Sequence, residues 1–369
     1  MGSAPAIIES IPRASCKEAH PPLDTCEVTR LDTSSATAWG DYVATHSEGT
    51  LFHTLAWRNA VRDAFHHEDQ YLLAIQGKRV VGVLPLFLVT SRLAGRMLVS
   101  VPYGVGGGIL ADDDGSAGQL FQAAQELALR ERCRIIDLRS ERAIVPNLPT
   151  IDRYVVFRRQ LPETPQEVLG WLPRKARAAA RNARDKYQLT VSFGDEHLPE
   201  VWRLYTGSMR RLGSLNYPFS FFQRLIDLTL GHHWVSTVQW NGHTVAGLIT
   251  FLHKDRVMPY FIGTTDEAKR CSAANFAYLT AMERGVEFGY RIFDFGRSRR
   301  DNRGSYDFKR FQGFEPQPLG YQTWNAPGAR SSDLSPSNPR FNIIRRAWTN
   351  MPLCVTRTLG AYISRHIPG

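Results

Sequence analysis

The sequence predicts an α/β (α+β) fold built as two tandem units, each a mixed twisted sheet flanked by helices. Apolar runs of strand length alternate with stretches of helical periodicity, and the order of elements repeats after residue 160. The same tight hairpin signal also recurs about 165 residues apart, as Gln76-Gly77-Lys78 and as Asn241-Gly242-His243.

Residues 1–27 read as a loosely ordered lead in which Ala, Pro and Ser dominate. The first unit, residues 28–160, opens with helical patterns over Ser35–His46 and Ala56–Phe65. Strand-like runs follow at Tyr71–Ile75, Val80–Leu88 and Leu98–Val101, then a helix through Gln119–Arg132 and a strand at Arg134–Leu138. The second unit, 161–325, has a basic helix at Pro173–Tyr187, a strand at Leu189–Phe193, and helices over Leu198–Leu212 and Phe219–Leu230. Strands at Trp234–Trp240, Thr244–His253 and Arg256–Ile262 lead into a helix at Ala274–Phe288 and a strand at Tyr290–Phe295. Residues 326–369 begin as an Asn, Pro, Ser and Gly linker and recover an apolar, basic pattern that includes Phe341, Ile343, Ile344, Trp348, Leu359, Arg345 and Arg346. Two readings of this tail stay open: an amphipathic segment on an anionic membrane, or a helix docked on the protein's own core and broken at Pro352.

With 369 residues, the chain is long enough to bury a core without disulfide or metal staples. Its five scattered cysteines include no C-x-x-C, which suggests neither a zinc site nor a disulfide framework; no metal is expected, and a reducing, cytoplasmic setting fits. The longest apolar run, Val80–Val89, is about half a bilayer span. A net charge of +10 favours anionic partners.

Arg174, Arg177, Arg181 and Arg184 recur at helical spacing among alanines, so four guanidinium groups share one stripe suited to phosphate. The glycine-rich Val101–Leu110 lacks the pattern of a phosphate loop or a dinucleotide fingerprint, and close packing of backbone is its expected cause. Read as strand, Ile292, Asp294, Gly296 and Ser298 face one side while Phe293, Phe295 and Arg297 face the other; Tyr306–Phe314 alternates in the same way. A lysine on an aromatic-rich strand is costly unless paired, so Lys309 is expected to meet a carboxylate or a ligand anion. Hydrolase motifs G-x-S-x-G and H-E-x-x-H are absent.

The strand and polar loop Gly263–Ser272, the helix with Asn275 near its start, Phe293-Asp-Phe-Gly-Arg-Ser298 and Tyr306-Asp-Phe-Lys-Arg-Phe-Gln-Gly313 together resemble the second acyltransferase domain of FemAB-like proteins. They are most similar to members associated with exosortase (PEP-CTERM) and exopolysaccharide loci. The resemblance spans roughly residues 28–325 and implies tandem GNAT-like N-acyltransferase domains that transfer an acyl or aminoacyl group to an amine of a cell-envelope precursor. The family's Phe-Lys motif falls on Phe308-Lys309, which implies that the lysine supports the acyl-transfer transition state. The resemblance also implies no tightly bound cofactor, with aminoacyl-tRNA or acyl-CoA as co-substrate and tRNA as a partner. The loop Asp266–Asn275 lacks the Gly-x-Gly cradle of acetyl-CoA-binding relatives.

Acyl transfer needs a donor for the oxyanion, a proton for the leaving group and a hold on the amine. The candidates are Lys309 for the oxyanion, Tyr306 or Tyr260 for the proton and Asp294 for the amine. Arg297, Ser298, Asn275, Phe308, Arg174, Arg177 and Arg181 are the candidate substrate-binding residues. The alternatives are an acyl-CoA-dependent enzyme acting on an amino sugar, and a non-catalytic binder of nucleic acid or anionic polymer.

Overall fold

The computed structural model describes residues 26–91, 95–329 and 342–367. Most of the lead, most of the linker, and Arg340 and Phe341 of the tail lie outside them.

The first half runs β1 (Cys26–Arg30), α1 (Ala36–Thr45), α2 (Leu55–Phe65), β2 (Glu68–Asp69), β3 (Leu72–Gln76), β4 (Arg79–Leu84), β5 (Phe87–Ser91), β6 (Gly95–Val99), β7 (Leu110–Ala111), α3 (Asp114–Arg130) and β8 (Ile135–Leu138). The expected strand Val80–Leu88 is two strands, because Pro85 cannot donate to a ladder in mid-strand. Then come β9 (Tyr154–Gln160), α4 (Pro165–Trp171), α5 (Arg174–Arg181), β10 (Thr190–Phe193), α6 (Leu198–Arg211), α7 (Phe219–Leu228), β11 (His233–Trp240), β12 (His243–His253), β13 (Arg256–Thr264), α8 (Ala273–Glu287) and β14 (Ile292–Arg299). The chain finishes with α9 (Arg303–Phe311), β15 (Pro316–Pro318), β16 (Gln322–Asn325), α10 (Asn342–Asn350) and α11 (Leu353–Ser364).

The strand orders display the repeat. In the second half a seven-stranded sheet runs β10-β11-β12-β13-β14-β9-β15, with β13 and β14 parallel. The first half has the same order divided into two sheets, β1-β3-β4-β7 and β16-β8-β6-β5-β2, with β6 and β8 parallel. Both hairpins form as the sequence predicts; Asn241 and Gly242 both take positive φ, the conformation that matches the twist of the flanking strands. β9, placed by sequence in the first unit, pairs with β14 in the second sheet, and β16 crosses back to pair with β8.

The two halves share a core. Trp39, Phe52, Trp57 and Phe65 of the first half bury against Tyr205, Phe221, Phe222 and Phe261 of the second. Trp57 meets Phe221 edge-on at 5.7 Å between centroids, and Phe65 meets it at 5.0 Å. A second core lies outside the seven-stranded sheet, beneath α5 and α8. There Ala176, Ala180 and Ala183 are buried, so the alanines among the arginines supply a packing face.

The tail docks on the protein. Trp348 Nε1 donates to Ser214 O at 3.1 Å, and Tyr103 Oη donates to Ser364 O at 3.0 Å. No helix among the described residues is long and apolar enough to cross a membrane.

Candidate functional site

β13 and β14 pair over only two positions, Arg256↔Ile292 and Val257↔Phe293, and then part. Each carries a bulge where they separate. On β13, Ile249↔Phe261 is followed by Thr250↔Pro259, so Tyr260 is the extra residue. On β14, Asp294↔Arg158 is followed by Arg297↔Val156, which sets Phe295 and Gly296 together against Phe157. Gly296 adopts φ +68°, and nothing stands within 4 Å of the place a Cβ would occupy.

That bulge changes the faces expected from simple alternation. Asp294 and Arg297 lie on the same face, with Arg158 and Tyr154 of β9, while Phe293 and Phe295 join the outer core and Ser298 Oγ meets Ser305 Oγ at 2.8 Å. One extra residue shifts the side-chain period by one, which turns Arg297 inward.

Tyr306–Phe311, expected as a strand, belongs to helix α9. Asn302 caps it by accepting from Ser305 N, and Gly313 ends it at φ +86°. Phe308 anchors the helix against Tyr278 and Phe295, at 5.7 and 6.4 Å between centroids. Lys309 is only 9% exposed and reaches the bulge. Its Nζ donates to Gly296 O and Arg297 O, each at 3.1 Å, and stands 5.5 Å from the Phe157 ring centre. The expected carboxylate partner is therefore replaced by two carbonyls. Burial pushes the ammonium down to about 7, with Arg297 adding to the depression and Asp294 opposing it. A charged Lys309 has three donors, of which the carbonyls take two.

Asp294, 2% exposed, is not open to hold an amine: it accepts from Arg158 Nε at 2.6 Å and from Gly296 N at 2.7 Å, which makes it the brace of the bulge. Arg158 also binds Glu141, which in turn meets Arg256 at 3.3 Å. Burial raises the Glu141 carboxyl, but the two guanidinium groups outweigh it and hold it below its usual range. Tyr260 Oη donates to Tyr103 O at 2.7 Å, across the seam of the two halves. Tyr306 packs edge-on to Phe157 at 5.3 Å.

Arg297 has no carboxylate partner among the described residues. Its guanidinium lies 4.6 Å from the Tyr154 ring centre and 3.5 Å from Tyr321 Oη. Asn275 stands in the first turn of α8, the helix that follows β13. Of the basic stripe, Arg177 caps Gly170 O at 3.2 Å and Arg184 meets Glu283 at 3.3 Å, while Arg174 and Arg181 are exposed with no ion pair among the described residues. The stripe begins where Pro173 packs against Gly313, beside the end of α9.

The structure thus brings Lys309, Arg297, Asp294 and Tyr260 to the point where the strands part. Tyr306, Ser298 and Phe308 lie on its outer side, and Asn275 and the arginine stripe stand further out. Arg158, Glu141, Tyr154 and Tyr321 were not found by sequence reasoning. Their partners are distant in the chain and no local spacing marks them.

In the first half the parallel pair does not part in this way. Ser100 N donates to Asp137 O and Gly107 N to Arg139 O, so its parallel pair stays closed by backbone bonds. The glycine run is pressed on its neighbours, since a Cβ on Gly108 would strike Ser140 and one on Gly107 would strike Val101. That is the packing role expected of it. No helix among the described residues follows β8 as α9 follows β14.

Residues 172–310 match the family model of the acetyltransferase (GNAT) domain. By sequence, no curated protein matches the chain. Among solved structures it is similar to FemX, with a TM-score of 0.63 and 14% identity over 86% of this chain and 100% of that one. A tandem GNAT protein from the clavulanic acid biosynthesis pathway aligns with a TM-score of 0.54 and 14% identity over 84% and 100% of the two chains. The C-terminal (DUF2156) domain of a candidate lysylphosphatidylglycerol synthetase from Agrobacterium fabrum aligns at 0.52 and 15% over 80% and 93%. The chain has the tandem GNAT fold, and the part that matches the acetyltransferase domain contains the parted strands and Lys309.

Proposed function

We propose that the protein is an N-acyltransferase whose reaction centre is the gap between β13 and β14, with Lys309 as its catalytic residue. The carrying observation is the bulge at Gly296, where a buried ammonium is bonded to two carbonyls and the place a Cβ on the glycine would take is open. An acyl carbonyl in that space would place its developing oxyanion near the third N–H of Lys309. The attacking amine loses a proton to solvent water as its C–N bond forms. The tetrahedral intermediate then collapses, breaking the bond to the leaving oxygen or sulfur, which takes up a proton. We assign that proton to Tyr306, which lies against the same Phe157 ring as Lys309 and whose hydroxyl bonds nothing among the described residues; Tyr260 would first have to release Tyr103 O. Arg297 holds an anionic group of the substrate, and Asp294 positions both residues by bracing the bulge.

The acceptor we assign is an amine on a cell-envelope or exopolysaccharide precursor, a reading supported by the likeness to FemX. The donor is aminoacyl-tRNA or acyl-CoA, and the exposed Arg174 and Arg181 suit the phosphates of either. The test pairs transfer assays for both donors with Lys309→Met. Loss of one oxyanion donor should lower kcat by about 10²–10³-fold with retained folding. Full activity in that variant would remove Lys309 from the chemistry. Undiminished nucleic-acid binding, with no transfer from either donor by the parent protein, would favour the non-catalytic binder.

A further inference from the structure

We propose that the C-terminal arm, α10 and α11, seats the protein on the surface of an anionic phospholipid bilayer. The two faces of α11 have different compositions. Thr356, Gly360 and Ser364, spaced four apart, are buried against the body of the protein. Gly360 is needed there, because a Cβ would run into Asn216, whose Nδ2 also donates to Arg357 O at 3.0 Å. The helix is therefore held in one rotational setting. That setting turns Val355, Leu359 and Tyr362 outward, at 39, 42 and 46% exposure. Their spacing of four and three makes a single apolar stripe on a helix whose opposite face is already satisfied.

Charge selects the occupant. From Leu334 to Gly369 the sequence contains no Asp or Glu and five Arg. Arg345 and Arg346 of α10 are exposed, and Arg365 lies 5.4 Å from the Tyr362 ring centre at the end of the stripe. An apolar stripe that ends in a tyrosine beside Arg365, on an arm that also exposes Arg345 and Arg346 and has no acidic residue, matches the boundary between acyl chains and anionic headgroups. Neither helix of the arm is long enough to span a bilayer, so the arm lies on the surface. This inference does not depend on the proposed chemistry.

The full-length protein is to be sedimented with phosphatidylcholine vesicles, with and without phosphatidylglycerol. Binding is expected to phosphatidylglycerol vesicles and to weaken with added salt. The triple variant Val355→Ser/Leu359→Ser/Tyr362→Ser should lose about tenfold or more in binding while keeping the parent's circular-dichroism melting curve. Arg345→Glu/Arg346→Glu, which leaves the apolar stripe intact, should lose binding to a similar degree and serves if the triple variant misfolds. Absence of binding by the parent, or equal binding by a folded variant, overturns the proposal. So does light scattering that shows a dimer dispersed by the triple variant without vesicle binding, which would assign the stripe to a second copy of the chain.

Discussion

Lys309 carries its charge at a cost that the rest of the fold supports. Its folded-state value of about 7 lies below its usual 10.5, so the folded protein binds the proton less tightly than the unfolded chain. The resulting penalty on stability is therefore full below pH 7 and is relieved as pH rises from about 7 toward 10.5. Thermal unfolding should show Lys309→Met more stable than the parent at pH 6, with a gap that narrows by pH 9. The same titration sets the activity profile. With the ammonium as oxyanion donor, kcat/KM falls as pH rises through about 7, and Lys309→Arg, which stays charged, loses that limb. A rise through the same pH would instead make neutral Lys309 the proton acceptor. Asp294 acts differently, since its partner Arg158 is largely buried. Breaking such a pair from one side costs about 3–5 kcal/mol, so Asp294→Ala should show a loss of that size in urea denaturation.

Among the elements, those with a plain apolar period were legible in the sequence, and those set by a single backbone irregularity were not. α6, α8, β11 and β12 lie within a residue or two of their expected bounds. The spacing of Tyr306, Phe308 and Phe311 fits strand as readily as helix; the decisive signals were Asn302 and Gly313 at the two ends, a cap and a stop. The bulge at Gly296 left one glycine as its only mark, so the sequence identified Arg297 and Asp294 as candidates but placed them on opposite faces. Where α6 crosses the sheet, Gly263 of β13 lets the two backbones meet, and a Cβ would collide with the Tyr205 nitrogen. Gly263→Ala should therefore destabilise by about 1–3 kcal/mol, read as a lower urea midpoint.

At the scale of the whole molecule, the duplication is legible in the paired hairpins and the repeated order, but the joining of the halves is not. The shared core of Trp57, Phe65, Phe221 and Phe261, the bond from Tyr260 to Tyr103, and the crossing of β9 and β16 join positions far apart in sequence. The largest core draws on both halves, which couples their unfolding. Calorimetry should show one endotherm with matching calorimetric and van't Hoff enthalpies; two resolved transitions would mean that the halves unfold independently.

The return of β16 to β8 also bears on how the protein is made. Leu138 leaves the ribosome about 180 residues before its partner Gln322, an interval of about 10–40 s at ordinary rates of synthesis. Throughout that time the free edge of β8 can recruit a strand from another nascent chain. This sheet begins before the seven-stranded one and is closed after it, so slowing translation across residues 140–320 should lower the yield of native protein more than slowing it before residue 130.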